Sequence, residues 1–177
     1  MRRSSRVVVA VAAGLLALTG CSWSRASVAV DVDGTVVSTA SVDAATAAIV
    51  EIIAQSGGQQ LPPEQVRTIA LQEAVLGAVI DNARAAGTLT LPQDAINALI
   101  EGNPVVKALA ANPATAKMAE VEGTLAAMQS DPTLAQQFQN AETNATVTIN
   151  PRYGQQWIHG TGLGVKDGSL SELVSAG

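Results

Sequence analysis

Valines at 28, 30 and 32 alternate with other residues, and Asp33-Gly34 follows them directly. Alternation at period two marks a half-buried strand, and Asp-Gly supplies the positive-φ pair that a tight turn favours, so a small β-hairpin is expected over residues 28–38. The period then lengthens. Ser41 is placed to cap a helix with Asp43 in its first turn, and Val42, Ala45, Ile49, Ile52 and Ile53 fall on one face before Gly57-Gly58 ends it. Pro62-Pro63-Glu64 opens a longer helix that can run to Ala86, with Gly87 placed to close it in the left-handed conformation. Along it Val66, Ile69, Leu76, Ile80 and Ala83 form one apolar stripe, and Leu71, Val75 and Val79 form a second beside it. A helix apolar over so much of its circumference is normally buried between others, which makes it the expected centre of the domain.

A short helix over residues 92–101 stops at Gly102-Asn103-Pro104, and another brief one is expected over 105–111. Met118, Val121, Leu125 and Met128 then repeat at helical spacing, and Asp131-Pro132 gives a cap with proline in the first turn of a helix carrying Leu134 and Phe138. In residues 145–150 Val147 and Ile149 alternate with threonines, a strand whose partner must be the N-terminal hairpin. The fold class that follows is mostly α (α+β): a helical domain with a small N-terminal β-hairpin paired to a C-terminal strand. Past Gly154 glycine and serine dominate around Trp157, so residues 155–177 are expected to form a flexible tail.

Ahead of all this lies a basic start (Arg2, Arg3, Arg6) and an apolar run from Val7 to Leu18. That run is shorter than the ~20 residues a spanning helix needs, and it has the zones of a secretory signal. Leu18-Thr19-Gly20-Cys21 resembles the lipobox of bacterial lipoproteins and contains the chain's only cysteine. The resemblance implies removal of residues 1–20 as a signal peptide. It further implies a diacylglycerol thioether and an acyl chain such as palmitate on Cys21, and a tether over 21–27 at the outer face of the cytoplasmic membrane. One acyl chain holds a protein only marginally, whereas two or three on one residue make a lasting anchor.

Loss of the first twenty residues removes three of ten basic residues and none of the fifteen acidic ones, leaving a formal charge of −8 on 157 residues. So acidic a surface opposes nucleic-acid binding and a polybasic grip on lipid headgroups. With its one thiol alkylated the chain forms no disulfide and rests on burial. A chain of this length suits one core, with roughly 68–70% of the unfolded surface buried.

The order strand pair, helix, long helix, short helices and returning strand ends in Asn150-Pro151-Arg152-Tyr153-Gly154, with Trp157 just beyond. This resembles the N-terminal chaperone domain of SurA-like and PrsA-like foldases, specifically short lipoprotein members, over about residues 28–157. The module itself is bounded at 28–154. What the resemblance implies is a chaperone-like module of the cell envelope that binds unfolded or exported polypeptides. The parvulin domain of the larger foldases has no counterpart here, and the single histidine, His159, does not supply the paired histidines of a parvulin site. Prolyl isomerase activity is therefore not expected.

Asp31-x-Asp33-Gly34-Thr35 after a hydrophobic strand matches the first motif of haloacid-dehalogenase-type phosphatases, where one Asp is the nucleophile and a second a general acid/base beside Mg²⁺. Downstream of Thr35 the sequence has no adjacent acidic pair, no Gly-Asp-x-x-x-Asp segment and no second valine-rich strand before Val147, and a hairpin turn explains the letters. Asp31 and Asp33 also fail as a calcium loop, since Thr35, Val36 and Val42 occupy positions five, six and twelve. His159-Gly-Thr-Gly-Leu-Gly164 lacks the strand and helix of a phosphate cradle. No catalytic residue, cofactor or metal is expected. Met118, Leu125, Met128 and Phe138 have the spacing of a buried helix face, and the same residues could line an adaptable groove for unfolded chains. The expected function is a non-catalytic, membrane-anchored chaperone-like lipoprotein; the alternative is an accessory or structural envelope lipoprotein that binds one folded partner.

Overall fold

The computed structural model describes residues 24–165; the expected signal, Cys21 and the last twelve residues lie outside that range. A helical turn, α1 (Ser24–Ser27), leads into β1 (Val28–Val32) and β2 (Thr35–Ser38). Asp33 (φ 49°) and Gly34 (φ 90°) make the turn between them, both positive as a type I′ hairpin requires. Six helices follow in pairs: α2 (Thr39–Gln55) and α3 (Pro63–Ala85), α4 (Gln93–Gly102) and α5 (Pro104–Ala111), α6 (Ala116–Met128) and α7 (Pro132–Asn144). β3 (Val147–Ile149) returns to pair antiparallel with β1, Val30 opposite Ile149 and Val32 opposite Val147. The sheet order is β2-β1-β3, the mixed helical fold with a small closing sheet that the pattern predicts.

Local chemistry accounts for the boundaries. α2 starts earlier than expected because Ser38, not Ser41, is its cap: Ser38 Oγ accepts from the Ser41 N–H at 3.0 Å, so strand becomes helix without a loop. Pro63 and Glu64 open α3, and Gly87 (φ 70°) closes it. Asn103 and Asp131 each cap a proline-led helix with their side-chain oxygens.

The core has two clusters. One gathers Val30 and Val32 of β1, Val42 and Ile49 of α2, and Val66, Leu71 and Val75 of α3; the other gathers Leu76 and Ile80 of α3 with Ile96, Val121 and Leu134. α3 contributes to both and is the central helix. Ile69, assigned to its apolar stripe, is the exception and is 41% exposed, because the second stripe carries the inward face at that turn. Asn82 ties the hairpin to α3, accepting from Thr35 Oγ1 at 2.6 Å and donating to the Val32 carbonyl at 2.8 Å.

The expected tail beginning at residue 155 is corrected for its first eleven residues. Asn150 caps a 3₁₀ turn (Pro151–Tyr153), Gly154 turns the chain at φ 62°, and β4 (Gln155–Ile158) then pairs antiparallel with β5 (Gly162–Val165). Side-chain tethering, not strand propensity, fixes this hairpin. The Glu142 carboxylate, buried at the end of α7, accepts from Trp157 Nε1 at 2.7 Å and from the Gly160 N–H at 3.1 Å, while His159 Nδ1 lies 2.8 Å from the Glu142 carbonyl. Trp157 packs against both clusters.

α4 crosses α6 at Gly123, where an added Cβ would lie 2.8 Å from Ile96 Cγ2 and 3.2 Å from Ile100 Cγ1. Gly123→Ala is therefore expected to destabilise by about 2 kcal/mol despite alanine's better helix propensity. Urea unfolding checks this, and an unchanged or raised midpoint refutes it.

Candidate functional site

The hairpin and three helices leave a cleft of about 280 Å³ on one side of the sheet. Its floor is one face of α3, where Ala70, Glu73, Ala74, Gly77, Ala78 and Asp81 share the i, i+3, i+4 spacing of one helix face. Thr35, Val36 and Val37 of β2 make one wall. Ala114, Lys117 and Met118, around the start of α6, make the opposite wall, and Ser41, Val42 and Ala45 of α2 close one end. Small residues on α3 hold the space open, for a larger set would fill it from below.

Two properties single this cleft out. First, β2 pairs only with β1 and is one of the two edge strands of its sheet among the described residues, and Val36 on it is 54% exposed. An edge strand presents unpaired backbone donors and acceptors, a template for another extended chain. Second, Glu73 is 5% exposed and its Oε2 is buried without a hydrogen-bond partner. Burial, aided by the negative charge of Glu122, pushes its pKa up to about 8. At neutral pH it is held largely as the acid.

The other polar groups at the cleft are engaged. Lys117 Nζ lies 2.7 Å from both Asp81 Oδ1 and Glu120 Oε2. Partial burial works against its charge, yet the bonds to the two carboxylates outweigh it and hold its pKa above the ordinary value. Ser41 Oγ is 2.8 Å from Ser38 Oγ.

The residues singled out in the sequence fall in several places. Met118 lines this cleft, whereas Leu125, Met128 and Phe138 pack in or beside the second core cluster, so the four do not form the one groove their spacing suggested. Asn150 donates from Nδ2 to the Val28 carbonyl at 2.7 Å and accepts from the Arg152 N–H at 3.1 Å. It thereby joins β1 to the turn through Pro151 and Gly154. Arg152 and Tyr153 line a second hollow with Arg67 and Leu71, the Arg152 guanidinium standing 5.3 Å from the centre of the Tyr153 ring. Asp31 Oδ1 accepts from the Gly34 N–H at 2.8 Å and Asp33 Oδ1 from the Thr146 N–H at 2.9 Å, so both carboxylates of the phosphatase-like string serve the hairpin.

Among the described residues no three His, Cys, Asp or Glu side chains gather as a metal site, and no helix is long and apolar enough to cross a membrane. Glu73 went unremarked in the sequence, although a charged residue on a helix read as buried all round is itself a signal. No family model, curated protein or solved structure matches the chain.

Proposed function

We propose that this protein is a non-catalytic, chaperone-like lipoprotein that binds unfolded or exported polypeptides at the outer face of the membrane, held there by lipid on Cys21. The observation that carries the binding reading is the cleft beside β2: an apolar trough flanked by a strand edge suits an extended segment, which adds backbone bonds along β2 and sets alternate side chains into the trough. Recognition by main-chain pairing is tolerant of sequence, as a protein with many clients requires. The lipobox-like segment at Leu18 to Cys21 supports the anchor, and the Asn150 to Gly154 segment supports the likeness to foldase chaperone modules.

Light scattering of two unrelated, chemically unfolded clients tests this. Diluted into buffer with residues 22–177, which retain every described element, both are expected to aggregate less at near-stoichiometric ratios. Ala114→Trp puts an indole into the cleft from an exposed position and is expected to abolish most of the protection without unfolding the protein. Unaltered aggregation of both clients would favour the accessory role with one folded partner.

A further inference from the structure

The polypeptide-binding reading leaves open which segments the cleft prefers, and its single buried polar group bears on that. Glu73 Oε2 has no donor, and none of its apolar neighbours Val37, Val42, Ala45, Ala74 and Ala78 has a side-chain donor to offer. The cation that lines the cleft, Lys117, is already bound by Asp81 and Glu120. The cleft thus has an excess of carboxylate and one acceptor unserved.

We propose that the cleft selects extended apolar segments that carry a lysine, whose ammonium pairs with Glu73 while its methylene stem lies along the small residues of α3. The stem is thin and apolar, matching the alanines of α3, and the head is the donor that Glu73 lacks. This inference rests on the polypeptide-binding reading of the same site.

A proton balance follows. Facing Glu73 are Asp81 on its own helix and Lys117 on α6, with Glu122 of α6 acting through its charge, while β2 and α2 contribute no charged group to the lining. The unoccupied carboxyl keeps its proton at pH 7. An ammonium beside it favours the carboxylate, so the O–H bond breaks, the ion pair forms, and one proton passes to solvent for each lysine bound.

Titration calorimetry with residues 22–177 and two short valine–alanine peptides, one with a central lysine and one with norleucine in its place, tests the inference. At pH 7 the lysine peptide is expected to bind about tenfold more tightly. Buffers of different ionisation enthalpy should report about one proton released with it and none with norleucine. Glu73→Gln should bring the two affinities together and abolish the release. Equal binding of both peptides to the unaltered protein, or a lysine preference that survives Glu73→Gln, overturns the lysine inference and leaves polypeptide binding standing. Failure of both peptides to bind removes the polypeptide-binding reading and this inference with it.

Discussion

Glu73→Gln is expected to raise the stability of the protein at pH 8 by about 3 kcal/mol while changing it little at pH 4. The folded carboxyl releases its proton near pH 8, against an ordinary value of 4.5. Between those limits the folded state holds a proton that the unfolded state has lost, so stability is fully present below pH 4.5 and declines as pH rises towards 8. The full interval corresponds to about 5 kcal/mol, and the opening of the cleft to solvent reduces it. Glutamine carries no charge to desolvate and flattens this part of the profile. Urea unfolding at intervals from pH 4 to pH 9 measures both curves; parallel curves for the two proteins would remove the buried acid from the account.

Glu142→Ala produces the second large effect, and a local one. The substitution strips Trp157 Nε1 and the Gly160 N–H of their common acceptor, and His159 of its nearest carboxylate at 3.3 Å. Trp157 is half-buried and Gly160 exposed, so the lost bonds cost at most about 1–3 kcal/mol at the indole and less at the glycine, and β4 and β5 are expected to detach while the helices persist. Hydrogen exchange over residues 155–165 should then quicken by about a hundredfold or more, with α3 unchanged at its core. Glu142→Gln should fall between, since its amide oxygen can still accept from Trp157 while its NH₂ group faces a donor. Exchange that quickens equally in α3 would mean that Glu142 holds the whole body together rather than the hairpin.

Those two glutamates also mark the limit of what the amino-acid sequence discloses. Val30 and Val32, the Asp33-Gly34 turn, the proline-led helix starts and the Val147/Ile149 alternation all express short-range rules of period and capping, and each element stands where those rules put it. Strand pairing between residues over a hundred positions apart was legible too, because one stranded segment had one place to go. The β4–β5 hairpin was not. Glycine-rich residues with one tryptophan have little propensity of their own, and what orders them is a carboxylate at residue 142 that spacing cannot single out. The cleft was half legible. Met118 was marked, but its grouping with Leu125, Met128 and Phe138 followed the periodicity of helices and could not see that the last three turn towards Ile80, Ile96 and Leu134. Glu73 stands out only as a charge on a helix read as buried all round, and nothing in its spacing names the walls that β2 and α6 set beside it.

The central position of β1 governs how the molecule bears force. Tension entering at Ser24 passes through the single turn of α1 to β1, and that strand is hydrogen-bonded to β2 on one side and β3 on the other. Ladder bonds lie across the strands, so a pull along β1 loads many of them in shear together instead of opening them one by one. Asn150, bonded to the Val28 carbonyl, fastens the strand at the end where such a load arrives. Were the body held by its N-terminus, as proposed, a pull along β1 would be carried by the ladders on both of its sides before it reached α2.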